Sequence, residues 1–305
     1  MKKIITALFL LSFAMVSFAQ EKDTTYWKNG AVGTIGFTNT GYSTYWQAGA
    51  LPSQSILANF VANAYYKKAK NSWENDLVLA YGLLRQGQDA PFLKNADRIE
   101  FTSKYGYKLA EKLLASTQLN FRSQFDDGFE FDPNFPTNVD SATLISRFLS
   151  PAYLNLGVGL DWQYDEHLSI YYAPLNAKVT IVSLEELRPR YIPQDITTGA
   201  ARFELGSNLT IKYNREVAKN VLFKTTANFF ANYLQNFGNI DVNWETLTTA
   251  KVNNWLAVTF ATNLIYDDDI KFVIETDEQG NPTKTGPRTQ FQHILTIGLT
   301  YTFID

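Results

Sequence analysis

The chain has 305 residues, 27 basic and 30 acidic side chains, a net charge of -3, no cysteine, and an aromatic set of 17 Tyr, 22 Phe and 6 Trp. The lack of cysteine excludes disulfides, thiol catalysis, thiolate metal sites and a lipidated cysteine at the mature N-terminus. A mean hydropathy of -0.19 excludes a bundle of membrane helices, and no Lys/Arg block points to nucleic acid; a membrane β-barrel stays open, because half of each of its strands faces a polar interior.

Residues 1–19 read as a secretory signal peptide. Lys2 and Lys3 precede an apolar run over 4–16, and Ser17-Phe18-Ala19 places small residues before a cut at Gln20. The run is too short for a spanning helix, and no later run exceeds it. Residues 20–305 are then expected to form a single domain.

From there the chain alternates. Twelve segments are predicted as strands: 31–39, 54–67, 72–84, 98–109, 113–124, 152–164, 168–181, 201–214, 221–234, 241–252, 255–266 and 290–304. Successive strand side chains point to opposite faces. In 201–214, Phe203, Leu205, Leu209, Ile211 and Tyr213 therefore share one face, against Arg202, Glu204, Gly206, Asn208, Thr210 and Lys212. The closing segment sets Phe291, His293, Leu295, Ile297, Leu299, Tyr301 and Phe303 against Gln290, Gln292, Ile294, Thr296, Gly298, Thr300 and Thr302.

The connections alternate as well. Short turns at 68–71, 110–112, 165–167, 215–220 and 253–254 interleave with longer loops at 40–53, 85–97, 125–151, 182–200, 235–240 and 267–289. This layout predicts an all-β fold, a transmembrane antiparallel up-and-down β-barrel of about twelve strands with short periplasmic turns and long extracellular loops. The expected setting is the outer membrane of a Gram-negative cell, reached by signal-peptide-directed export. The expected partners are the lipid bilayer and, during insertion, the barrel-assembly machinery reading the aromatic final strand. Phe303 in that strand is followed by Ile304 and Asp305, where an aromatic last residue is usual.

Outward aromatics gather at strand ends, as expected of headgroup-level girdles. Tyr66, Trp73, Tyr107, Trp162, Tyr164, Tyr213, Tyr301 and Phe303 fall at the short-turn rim; Phe101, Phe203, Tyr233, Tyr266 and Phe291 fall toward the other. Charges take the opposite parity. The candidate lumen-lining set is Glu100, Lys104, Lys108, Arg122, Asp161, Arg202, Glu204, Lys212, Lys224 and Arg288, with Glu74 and Asp76 beside them. Such residues could line a water-filled channel or pair across the lumen and close it. Twelve strands lie between barrels filled by side chains and barrels that leave a pore. Mixed signs favour pairing, since an unpaired buried charge is costly.

Several stretches carry a resemblance. They are Tyr45-Trp46-Gln47-Ala48-Gly49-Ala50, Ser103-Lys104-Tyr105-Gly106-Tyr107-Lys108, Ser150-Pro151-Ala152-Tyr153-Leu154, Ala173-Pro174-Leu175-Asn176-Ala177-Lys178, Asn239-Ile240-Asp241-Val242-Asn243-Trp244-Glu245, Leu264-Ile265-Tyr266-Asp267-Asp268-Asp269 and Gly286-Pro287-Arg288. On these, the chain resembles a Bacteroidota family of outer-membrane β-barrels catalogued as a domain of unknown function (DUF3078-like). Gly49-Ala50 departs from an expected Gly pair. The resemblance implies the barrel and its location, and brings no activity or catalytic residue.

Little else suggests chemistry. His167 and His293 are the only histidines, one in a predicted turn and one on the outward parity, and no Gly-x-Ser-x-Gly elbow accompanies them. A phospholipase with His293 as base is conceivable, but no catalytic residue is assigned. Asp267-Asp268-Asp269 could attract Ca²⁺, yet the spacing does not fit an EF-hand loop and adjacent strand residues point apart; no metal or cofactor is assigned. Trp46 and Gly49 are candidates for a loop element that folds into the lumen or binds a partner. Three functions follow in order: a non-enzymatic channel or passive transport barrel for small solutes, a structural or docking barrel with a closed lumen whose outer loops bind a surface or periplasmic protein, and a lipid-modifying enzyme.

Overall fold

The computed structural model describes residues 26–41, 52–87, 91–130, 142–192, 199–234, 237–277 and 282–304. The predicted signal peptide and the 45–50 stretch, with Trp46 and Gly49, lie outside the described residues, as does Asp305.

All twelve predicted strands are present. They are β1 (Trp27–Thr40), β2 (Ser53–Lys68), β3 (Asn71–Gln86), β4 (Leu93–Ala110), β5 (Leu113–Ser123), β8 (Ala152–Gln163), β9 (Leu168–Ile181), β10 (Ala201–Ala218), β11 (Val221–Asn232), β12 (Ile240–Lys251), β13 (Leu256–Tyr266) and β16 (Gln290–Ile304). Each pairs antiparallel with its neighbours, and β16 pairs with β1 to close the ring in the order β1, β16, β13, β12, β11, β10, β9, β8, β5, β4, β3, β2. Closure leaves no free sheet edge running the length of the wall.

The alternation is what makes these segments strands. A helix would spread Phe203, Leu205, Leu209 and Ile211 around its circumference; a strand stacks them on one side. Tight turns end the strands at one rim. Asn220 adopts φ 62, a left-handed conformation that its short polar side chain tolerates, and Ala69 adopts φ 53 in the β2–β3 turn at a cost of about 1–2 kcal/mol.

Two long connections expected as plain loops carry hairpins instead. One pairs β6 (Gly128–Glu130) with β7 (Thr143–Ser146), and the other pairs β14 (Phe272–Thr276) with β15 (Pro282–Gly286). A third holds the 3-10 turn Glu185–Leu187 and the short helix α1 (Arg188–Tyr191). Among the described residues no helix is long and apolar enough to cross a membrane.

The apolar distribution is inverted relative to a barrel folded in water. Leu295 is 65% exposed, Ile297 62% and Phe203 59%, while Asp161 is 0% exposed and Glu204 2%. The only compact apolar cluster among the described residues, Val182, Leu187 and Ile192 with Leu144, Leu184 and Tyr191, sits in the long-loop connections rather than in the barrel.

Candidate functional site

Side chains from strands that are not neighbours can meet only within the ring, so such contacts identify the inner face. Arg98 on β4 reaches Glu245 on β12, with Nη2 donating to Oε2 at 2.7 Å and to Oε1 at 3.0 Å. Five strands separate β4 from β12 in either direction around the ring, so this pair crosses the full width of the lumen. Arg98 also pairs with Glu100 two residues along, and Asn120 on β5 donates to Glu100 Oε1 at 3.1 Å. The side chains of Arg98 and Glu245 keep 27% and 24% of their exposure, so the crossing is not sealed from solvent.

A second cluster centres on Lys104. Its Nζ lies 2.7 Å from Asp161 on β8 and 3.1 Å from Glu74 on β3, and both Lys104 and Asp161 are buried. A third lies toward the long-loop rim. Lys178 Nζ on β9 is 2.9 Å from Asp241 on β12 and 3.6 Å from Glu204 on β10, and 4.9 Å from the centroid of the Phe230 ring, a cation–π distance. Arg202 binds Glu204 at 3.0 Å and also Asp269, which follows β13, while Asn232 donates to Glu204 at 3.1 Å. Each cluster balances a buried or half-buried cation with carboxylates, which lowers the cost of taking charge out of water.

Of the residues predicted to line the lumen, Glu100, Lys104, Asp161, Arg202 and Glu204 enter these clusters. Arg122 stands in register with Glu100 on one side and Tyr153 on the other. Lys108, Lys212 and Lys224 share the inner parity nearer the short-turn rim, Lys108 and Lys224 exposed and Lys212 half-buried. Arg288 stands apart, exposed in 287–289 before β16 begins. Asp76 accepts from Tyr65 Oη at 2.6 Å.

Five charged members were not among the predicted lining residues: Arg98, Lys178, Asp241, Glu245 and Asp269. Lys178 was hidden by a β-bulge. The β8–β9 register runs Leu160 to Tyr172 and then Val158 to Leu175, so one extra residue flips the parity of β9 around Pro174. Proline has no N–H for the ladder and is tolerated at such bulges, which is the signal that could have revealed it. Gly159 faces the same irregularity, where an added Cβ would stand 1.9 Å from the Tyr172 carbonyl oxygen. Arg98, Asp241 and Glu245 were legible by parity, but their mutual reach depends on ring closure.

The short-turn aromatics cluster on the outer parity. Trp27 packs 5.2 Å from Tyr66 and 5.9 Å from Trp73, Trp162 packs 5.5 Å from Tyr164, and Tyr301 packs 4.9 Å from Phe303. Tyr213 lies 6.4 Å from Phe223, and Tyr107 has Lys70 5.9 Å from its ring centroid.

The two histidines stand apart from the charged clusters, and His167 Nε2 lies 3.5 Å from Glu166 Oε1. His167 Nδ1 lies 3.0 Å from the Asn214 carbonyl, and His293 lies between the rings of Phe260 and Phe291 on the outer face. The three adjacent aspartates turn to separate partners: Asp267 accepts the Asp269 amide, Asp268 accepts from Asn239 and Tyr266, and Asp269 pairs with Arg202. Among the described residues no group of three or more His, Cys, Asp or Glu could hold a metal ion.

A family model described as a protein of unknown function, DUF3078, matches residues 37–129, the same family as the sequence resemblance. No curated protein matches the chain in sequence. Among solved structures, the translocator domain of the autotransporter NalP from Neisseria meningitidis is similar over 98% of this chain and 96% of that chain, at 9% identity and a TM-score of 0.35. An outer membrane channel from Pseudomonas putida F1 is similar over 94% and 98%, at 10% identity and a TM-score of 0.39. The P. putida toluene transporter TodX is similar over 93% and 81%, at 10% identity and a TM-score of 0.32.

Proposed function

We propose that this protein is a non-enzymatic barrel of the Gram-negative outer membrane that passes small solutes along a narrow, charged lumen. The apolar outer face has no place in water: contiguous exposed apolar surface of this extent marks a partner or a bilayer, and only closed barrels and helices satisfy their backbone within lipid. Export by the predicted signal peptide and insertion through β16 complete this reading. An even strand count puts the first and last strand ends at the short-turn, periplasmic rim.

The observation that carries the transport reading is the Arg98–Glu245 pair. It narrows the lumen at one point, yet both side chains remain partly solvated. Such a crossing is a constriction lined by one cation and two carboxylates, suited to small polar solutes rather than macromolecules. Single-channel recording on the refolded protein tests it: a small, steady conductance is expected, enlarged when Arg98 and Glu245 are both replaced by alanine.

One observation favours the closed docking barrel instead. The long connections are folded: Arg147 Nε holds Asp127 Oδ1 at 2.6 Å, Tyr191 Oη donates to the Ile145 carbonyl at 2.5 Å, and the Val182–Leu187–Ile192 cluster ties them together. Electrical silence of both the native protein and the double alanine variant would support that reading.

A further inference from the structure

The wall is not uniformly stitched. β1 pairs with β2 along its whole length, from Trp27 to Thr40, but with β16 only from Ala31 to Gly36, opposite Ile304 to Gly298. β13 takes one edge of β16 from Gln290 to Leu299. From Gln290 to Ile297, the edge of β16 facing β1 has no strand partner among the described residues. The last pair, Gly36 with Gly298, is a close backbone approach, with an added Cβ on Gly298 only 2.8 Å from the Ile35 carbonyl oxygen. Beyond it the β1–β16 ladder has no further pair among the described residues.

A cavity of about 310 Å³ lies at this seam. It reaches the inner residues Gly36, Thr38, Ser55, Leu57 and Ala96, and also His293, Leu295 and Ile297, which belong to the outer parity. The cavity is thus lined by residues of both parities of β16, beside the stretch of that strand without a β1 partner. Its lining holds no Asp, Glu, Lys or Arg, although the rest of the lumen is rich in them. Leu57 and Ile294 are apolar residues of its inner side and Leu295 and Ile297 of its outer side, and Ser55, Asn95, Gln292 and Thr296 supply hydrogen-bonding groups.

We infer that the β1–β16 seam is a lateral portal between the lumen and the outer leaflet, and that its ligand is an uncharged amphiphile with an apolar tail and a hydrogen-bonding head. An unpaired strand edge in contact with hydrocarbon would cost several kcal/mol per unsatisfied backbone group, so the gap must be filled by something that hydrogen-bonds. A ligand headgroup does so while its tail stays with lipid. The inference rests on the membrane placement proposed above, and does not depend on passage through the Arg98–Glu245 crossing.

The absence of native cysteine makes a clean test. Extending the Gly36–Gly298 register by two residues sets Thr38 opposite Thr296, so Thr38→Cys with Thr296→Cys can close the seam by a disulfide. Ser55→Trp, on the fully paired β2, fills the cavity without touching the seam. The probe is a diazirine-bearing dodecanol in phosphatidylcholine vesicles, with labelled residues mapped by mass spectrometry. Labelling is expected at Leu57 and Ile294, lost on oxidation of the cysteine pair, regained on reduction, and lost in Ser55→Trp. Labelling spread over outer residues such as Phe203 and Leu299 without enrichment at Leu57 and Ile294 would overturn the portal. So would labelling that persists in the oxidised pair or in Ser55→Trp. Flotation of the same vesicles and their ion conductance report membrane insertion and the axial path separately.

Discussion

Arg98 and Glu245 stand half a barrel apart and share two hydrogen bonds, at 2.7 and 3.0 Å, across the lumen. No other pair links diametrically opposed strands among the salt bridges of the described residues. The pair therefore does two things at once: it narrows the axial path and braces opposite walls. Those roles separate on mutation. Arg98→Ala leaves Glu245 without its cation and should destabilise the barrel by about 2–3 kcal/mol, below the 3–5 of a fully buried pair because both side chains retain solvent. The exchanged variant Arg98→Glu with Glu245→Arg should recover part of that loss. Urea unfolding in detergent micelles measures it, and equal stability of the single and exchanged variants would contradict a brace.

Lys104 is a different case, because it is buried and held by two carboxylates. Lys104→Met removes the cation and leaves Glu74 and Asp161 facing each other. A loss of about 3–5 kcal/mol is expected. The triple variant Lys104→Met, Glu74→Gln, Asp161→Asn should be nearer the native stability, since no uncompensated charge remains. If the single variant proves as stable as the native protein, the cluster contributes nothing to the wall.

How far the sequence reaches is visible in these two clusters. Lys104 and Asp161 were legible because β4 and β8 alternate without interruption around them, so parity alone put both inside. Lys178 was not, because the bulge at Pro174 inverts the parity halfway along β9. Glu245 had the correct parity, but only the ring order shows that it reaches Arg98. The two loop hairpins escaped because strands of three to five residues are too short to display a period. The short seam escaped for another reason: β16 keeps its alternation through Gln290–Ile297, Ile294 apart, whether or not β1 pairs with it.

The two faces of the barrel wall should respond oppositely to charge. Leu156 lies mid-strand on the exposed face of β8 and Thr259 on the inner face of β13. Leu156→Arg should cost about 2–4 kcal/mol in phospholipid vesicles, as for arginine at a bilayer midplane. Thr259→Lys should cost little, because the ammonium meets a polar lumen. Equal penalties at the two sites would argue against a lipid-facing outer wall.

The long-loop cap carries a pH dependence of known sign. Arg147, donating to both carboxylate oxygens of Asp127 at 2.6 and 2.7 Å, holds that carboxyl below its ordinary value of 3.8. A depressed folded-state value means the contribution is fully present above the unfolded value and is lost as pH falls through the folded one. The tie should therefore hold at neutral pH and fail in the acid range below about 4. The Gln124 side chain bonds the Arg147 and Pro151 carbonyls, and the Leu149 amide bonds Ser123 Oγ at 3.1 Å, so loosening should spread along this connection first. Amide exchange, corrected for its intrinsic pH dependence, should show protection at Leu149 and Ser150 falling in that range while β8 and β9 stay protected. In Asp127→Asn the same amides should already be less protected at neutral pH, with no further loss on acidification. A native-like acid transition in that variant would assign the effect to another group.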